Sequence, residues 1–139
     1  MIIDASVAFK WLIDEPDSDI AISWLAHDSL NAPAVVHAEV GNALTKRVRG
    51  GELAGAGAAE QLMRLVTILT VVDERPFVGR ALDMAVALDH SYYDCLYLAL
   101  GEAVGEPLLT ADTRFAAKVA ASPWAALIQP WVARVSAGS

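Results

Sequence analysis

The chain has 139 residues, an apolar fraction of 55% and a mean hydropathy of +0.41, enough for one domain with a dense core and some apolar surface reserved for a partner. Its formal net charge of −7 excludes a passive nucleic-acid binder, which needs a basic footprint, but not an enzyme that holds cations among its acids. The single cysteine, Cys95, excludes an internal disulfide framework and points to a cytoplasmic protein, with Cys95 as a small core residue.

Residues 1–4 read as a short buried strand, Met1-Ile2-Ile3 closed by Asp4. Residues 6–13 form a short helix carrying Val7, Phe9, Trp11 and Leu12, and the acidic break after it caps a second helix that runs to about Ala26. Asn31-Ala32-Pro33 reads as a joint, followed by a helix over 34–48 that Gly50-Gly51 ends. A further helix spans 54–65. The β-branched run 67–72 predicts a buried strand of parallel type. Pro76 opens a helix that stops near His90, and 92–104 is apolar almost all round, as a buried helix should be. Residues 107–110 form a strand, 112–121 a helix and 126–128 a last edge strand. From Pro130 the chain reads as a tail, so one domain covers 1–130 and the tail 131–139. Strands alternating with helices imply an α/β fold, a sandwich with a central, mostly parallel sheet. The longest uncharged interval, 119–133, is broken by Pro123 and Pro130 and falls short of a membrane span of roughly 20 residues. Asp4 and Lys10 interrupt any secretory signal at the N-terminus.

Four acids stand out by their apolar settings. Asp4 ends a buried strand, Glu39 interrupts the helical face of Val35, Val36, Val40, Ala43 and Leu44, Asp94 opens the run 95–100, and Asp112 follows Pro107-Leu108-Leu109-Thr110. Each alone has an ordinary explanation, an N-cap for Asp94 and Asp112, a strand end for Asp4, the edge of the stripe for Glu39. Buried carboxylates are costly unless paired or bound to a cation, and ligands of parallel sheets bind beyond the carboxyl ends of the strands. Together the four predict one acidic site that holds Mg²⁺ or Mn²⁺ for chemistry on phosphates. Ser6 and Thr110 add hydroxyls that orient ligands or waters, or serve as local caps. Asp4, Asp94 and Asp112 are the expected metal ligands, with Glu39 a ligand through water or the group that positions the attacking water.

Other motifs are absent or ordinary. There is no GxxxxGK[ST] or GxGxxG loop. His27, His37 and His90 lack metal-ligand spacing and are read as surface or helix-end residues. Lys46, Arg47 and Arg49 suit a helix C-terminus, with phosphate contact as the alternative, and Arg114 is a second candidate for contacting substrate. Trp11 and Trp24 are the tryptophans to watch for partner binding.

At Ile2-Ile3-Asp4-Ala5-Ser6, Ala32-Pro33 with Glu39-Val40-x-Asn42-Ala43-Leu44, Tyr93-Asp94-Cys95-Leu96-Tyr97-Leu98-Ala99-Leu100 and Pro107-Leu108-Leu109-Thr110-Ala111-Asp112-Thr113-Arg114-Phe115, the chain resembles PIN domains, in particular VapC toxins of toxin–antitoxin systems. Each motif is weak alone; four in this order and spacing are specific. The resemblance covers Met1 to about Ile128. It implies a three-layer α/β/α fold and a Mg²⁺- or Mn²⁺-dependent endoribonuclease acting on structured RNA such as tRNA or rRNA. Asp4, Glu39, Asp94 and Asp112 match the family's acidic quartet, and Ser6 and Thr110 its accessory hydroxyls. It further implies a homodimer, a cognate VapB-type antitoxin seated near the site, a larger toxin–antitoxin assembly, and contact with operator DNA only through the antitoxin. Cys95 and Gly101 depart from the family's usual alanines, and Gly101 should loosen its helix by roughly 1 kcal/mol. The competing readings are a PIN-like module that only binds a partner peptide, and a phosphatase with Asp4 as nucleophile; Ser6 stands where that second class carries another aspartate.

Overall fold

The computed structural model describes residues 1–135; the end of the predicted tail, residues 136–139, lies outside the described residues. Five short strands, β1 (Ile2–Ile3), β2 (Asn31–Pro33), β3 (Thr70–Val72), β4 (Leu108–Leu109) and β5 (Ile128–Gln129), form one parallel sheet in the order β3-β2-β1-β4-β5. Seven helices connect them: α1 (Ala5–Leu12), α2 (Ser18–Ser23), α3 (Val35–Arg49), α4 (Gly55–Ile68), α5 (Val78–Leu88), α6 (Tyr92–Val104) and α7 (Thr113–Ala120). From β1 the chain steps outward to β2 and β3, then returns past β1 to β4 and β5. Right-handed crossovers therefore send α1–α4 to one face and α5–α7 to the other. The packing agrees, with α1 against α2 and α3, α3 against α4, and α5 against α6, which lies across β1, β2 and β4. This is the expected three-layer α/β/α arrangement.

The core runs through the sheet centre and α6. Ile2, Ile3, Leu108 and Leu109 are fully buried, as are Cys95, Tyr97, Leu98 and Leu100. Apolar residues around the whole circumference of α6 place it as a buried helix, and its residues 95–101 are all buried. Burial pushes the Cys95 thiol up to about 11, so it is an inert core residue.

Several local expectations change. Asn31-Ala32-Pro33 is a strand rather than a joint, paired on both sides with β1 and β3. Pro33 is tolerated because it is the last residue of β2, and the next backbone donor, Ala34 N–H, reaches the Val72 carbonyl at 3.1 Å. The strand expected over 67–72 begins only at Thr70, because α4 continues to Ile68. It is parallel but not buried: β3 is the outer strand of the sheet, and Thr70 and Val71 are exposed. The helix expected from Pro76 begins as a 3-10 turn over Arg75–Phe77 before α5. Trp11 and Trp24 belong to the core rather than to a free surface; their indole N–H groups donate to the carbonyls of Ala21 and Val132. Beyond β5 the chain folds back on α2, where Trp131 donates to Asp17 and Arg134 N–H to Ser23. Among the described residues, no helix is long and apolar enough to cross a membrane.

Gly101 also has a different meaning from helix loosening. A Cβ there would lie 2.7 Å from the Glu106 carbonyl oxygen, at the turn where α6 ends in left-handed Gly105 and the chain enters β4. Only glycine lets that backbone approach.

Candidate active site

The sheet order reverses between β1 and β4, so the carboxyl ends of these two strands open a crevice. Asp4 leaves β1 there, its N–H still bonded to the Leu109 carbonyl at 3.3 Å. It serves as the N-cap of α1, with Oδ1 accepting from Val7 N–H at 3.2 Å and from the Ser6 hydroxyl at 2.6 Å. Ser6 in turn accepts Ala111 N–H at 3.0 Å, which ties the end of β4 to the end of β1. Its oxygen lies 3.5 Å from that of Thr110, whose hydroxyl accepts Asp112 N–H at 3.1 Å. Both hydroxyls thus act as clamps across the crevice, and Thr110 is itself buried.

Asp112 is the N-cap of α7, with Oδ1 accepting from Arg114 N–H and Phe115 N–H, both at 3.1 Å. Asp94 is not a cap; Ser91 holds that position, and Asp94 lies in the first turn of α6. Because α6 runs back to feed β4, its first turn lies at the same edge of the sheet as Asp4 and Asp112. Glu39 arrives from α3, one turn beyond the end of β2. It sits at the edge of the apolar stripe, where Val36, Val40 and Leu44 are buried and Glu39 only half so.

The electrostatics follow from this crowding. Asp4 is 3% exposed, and burial pushes its carboxyl up to about 7, against the pull of the Ser6 and Val7 hydrogen bonds and with a small push from the Asp94 charge. Burial also raises Asp94, opposed by His90 and reinforced by Asp112. Glu39 is raised by burial too, with its Tyr97 hydrogen bond pulling down and Asp94 pushing up. The four expected acids therefore share one end of the molecule and sense one another.

Two partners were not anticipated. Tyr97, fully buried, donates its phenol to Glu39 Oε1 at 2.8 Å. His90 Nε2 lies 2.6 Å from Asp94 Oδ2, and its ring stacks on Phe115 with centroids 4.6 Å apart. The spacing of Asp94 from His90, four residues, was a usable signal for that pair. Nothing local links Tyr97 to a residue 58 positions earlier. One compact group of donor atoms emerges, His90, Asp94 and Asp112, within 4.8 Å of one another; Asp4 is not part of it.

The donor set suits a hard divalent cation. Asp4, Glu39 and Asp112 have no lysine or arginine partner among the described residues, and Asp94 pairs only with His90. A buried carboxylate without a cationic partner, as at Asp4, is the feature a bound cation would relieve. An open cleft of ≈ 410 Å³ reaches this region, lined by Ser6, Phe9, Lys10, Glu39, Val40, Ala43 and Asp112 among others, and a second of ≈ 370 Å³ lies on the other side of Glu39, beside Asn42 and Tyr93. Of the basic candidates, Arg47 is engaged by Glu15 and Glu52 and stacks over Phe9, so it braces α1 and α3. Lys10, at the cleft, was overlooked; it pairs with Glu15 and Asp17.

An acidic crevice at the switch point of a short five-stranded parallel sheet defines a class, and the sequence comparisons agree with it. Residues 1–120 match the PIN domain family, and the chain belongs to it. It is homologous to VapC ribonuclease toxins: ribonuclease VapC1 of Mycobacterium tuberculosis is 35% identical over 84% of this chain and 88% of its own length. Exonuclease VapC9 of Pyrobaculum aerophilum is 31% identical over 68% of this chain and 71% of its own. The crystal structure of PAE2754 from Pyrobaculum aerophilum superposes with a TM-score of 0.70 at 27% identity, covering 84% of this chain and 77% of that one. Mycobacterium tuberculosis VapC20, described as a sarcin-ricin loop cleaving toxin, shares the fold with a TM-score of 0.68 at 18% identity over 84% of this chain and 92% of that one.

Proposed function

We propose that this chain is the toxin of a toxin–antitoxin pair, a Mg²⁺- or Mn²⁺-dependent endoribonuclease that cuts phosphodiester bonds in structured RNA, with tRNA or rRNA as the substrate class. The observation that carries the reading is the gathering of Asp4, Glu39, Asp94 and Asp112 from four separate elements at one crevice, with Asp4 buried and unpaired with any cation. In this reading Asp4, Asp94 and Asp112 hold the cation, and Ser6 and Thr110 fix the crevice walls. A divalent cation held there would lower the pKa of a bound water and neutralise charge on the phosphate.

Glu39 is the group for the proton. Burial raises its carboxyl, and Tyr97 occupies Oε1, which leaves Oε2 for the cleft. There it would accept a proton from the water that attacks phosphorus, while the bond to the leaving oxygen breaks and that oxygen takes a proton from solvent. The PIN and VapC relationships support the same reaction class. The same kinship supports a VapB-type antitoxin as partner, a homodimer and a larger assembly with that antitoxin.

The test is incubation of antitoxin-free protein with total tRNA and rRNA in Mg²⁺ or Mn²⁺, beside an EDTA control and an Asp4→Asn variant. Internal cuts that vanish in both controls are expected. Cleavage that survives both EDTA and Asp4→Asn would not come from this site, and protein that neither cuts RNA nor binds Mn²⁺ by calorimetry would leave a peptide-binding module as the better account.

A further inference from the structure

His90 is built into the acidic crevice more firmly than a helix-end histidine needs to be. Asp89, which precedes it, ends α5 in the left-handed region at φ 49°, ψ 54°, a conformation that is unfavourable for a non-glycine residue. Two contacts hold this turn in place: Lys118 donates to the Asp89 carbonyl, and His90 N–H donates to the Ala85 carbonyl at 3.1 Å. The imidazole is then pinned by its stack on Phe115, nearly parallel at 18°. Phe115 is fully buried, and its own N–H is one of the two that Asp112 caps. A closed circuit results, in which Asp112 secures Phe115, Phe115 orients His90, and His90 faces Asp94.

We infer that His90 supplies a nitrogen ligand, through Nε2, to a divalent cation held with Asp94 and Asp112, and that this nitrogen makes the site favour Mn²⁺ over Mg²⁺. The inference rests on the cation-dependent reading above. The donor atoms lie close enough together for one ion to gather them. Donors bound to an ion at roughly 2.1 Å lie about 3 Å apart when adjacent and about 4.2 Å apart when opposite. Here Nε2 and Asp94 Oδ2 are 2.6 Å apart, a hydrogen-bond contact that an ion between them would widen, and all three donors fall within 4.8 Å, slightly wider than a bound ion would hold them. Ligation requires the proton shared by Nε2 and Asp94 to give way to the ion and the imidazole to carry its proton on Nδ1, which has no partner among the described residues. Imidazole nitrogen is a poor match for Mg²⁺, which prefers all-oxygen shells, and a better one for transition ions.

The experiment is pulsed electron paramagnetic resonance on the Mn²⁺-loaded full chain, prepared with natural-abundance and with ¹⁵N-labelled histidine, together with calorimetry of Mn²⁺ and Mg²⁺ on wild type and His90→Gln. Glutamine keeps a donor for Asp94 but removes the aromatic nitrogen, so it separates ligation from positioning. The expected result is a nitrogen coupling on Mn²⁺ that changes with the label and disappears in His90→Gln. Mn²⁺ affinity should fall about tenfold or more in the variant, and Mg²⁺ affinity by less than about threefold. Bound Mn²⁺ without nitrogen coupling, or coupling that persists in His90→Gln, overturns the inference and leaves the nuclease reading standing. Protein that binds no Mn²⁺ overturns both. Should His90→Gln fold poorly, labelled wild type beside His27→Gln and His37→Gln assigns the coupling, and its absence from labelled wild type overturns the inference.

Discussion

Tyr97 of α6 and Glu39 of α3 are joined across the interior by a 2.8 Å hydrogen bond in which a fully buried phenol donates to the carboxylate. The phenol's own ionisation is pushed far upward, by burial first and then by the Glu39 charge, so it remains a donor at every working pH. Glu39 therefore has a fixed rotamer and a carboxyl drawn down from where burial alone would put it.

Tyr97→Phe removes that donor and little volume. Expected are a stability loss of about 1 kcal/mol, a further rise in the Glu39 carboxyl, and cleavage reduced by about tenfold with its rising pH limb moved to higher pH. Carboxyl NMR titration together with a pH–rate profile checks it. An unmoved limb would mean that Glu39 takes no part in proton transfer.

Asp4 predicts an unusual pH dependence. Its folded carboxyl, at about 7, lies above its ordinary value of 3.8, so between these two the native state binds more protons than the unfolded one. The cation-free protein should thus lose stability as pH rises from about 4 to 7, by on the order of 4 kcal/mol from this group. Asp4→Asn should remove that slope and melt higher than wild type at pH 8 without divalent ions. Added Mn²⁺ should raise the wild-type midpoint there and raise the variant's much less. Thermal melts across pH, with and without Mn²⁺, decide it; a wild type whose stability is flat over that range contradicts the account.

Ser6→Ala strips one hydroxyl from two jobs, donation to Asp4 and acceptance from Ala111 N–H. It should cost about 1–3 kcal/mol in urea denaturation, because the Ala111 N–H is left unpaired. The Asp4 carboxyl should also move further up, so the pH slope of stability extends to higher pH. A variant that unfolds like wild type would show that Ser6 is no clamp.

Gly101→Ala tests a close approach. The added Cβ would meet the Glu106 carbonyl at 2.7 Å, so the α6–β4 turn must shift, at a cost of about 1–3 kcal/mol despite alanine's better helix propensity. Chemical denaturation measures it. A stabilised variant would mean that helix propensity, not backbone contact, governs this position.

Much of the architecture is legible in local pattern. The stretch 92–104, apolar on almost every face and too long for an ordinary strand, reads as a buried helix, and Pro107-Leu108-Leu109-Thr110 before Asp112 reads as strand then cap because each signal is local. β2 was hidden because Pro33 is a loop signal on its own and a strand residue only where its missing donor is not needed. The exposure of β3 was hidden because β-branched composition tells strand from helix but not edge from centre.

The same division holds at the crevice. Asp4, Glu39, Asp94 and Asp112 announce themselves in the sequence, since a carboxylate in an apolar run is costly wherever the chain goes. Their companions do not. Tyr97 looks like one more core aromatic and His90 like a helix-end residue, until the crossover from β3 back to β4 carries both to the crevice and gives each side chain its carboxylate. Sequence alone determined which groups carry charge at a cost. Only the tertiary structure decided which neighbours meet that cost, because hydrogen bonds reach about 3 Å and depend on which distant segments the fold brings together.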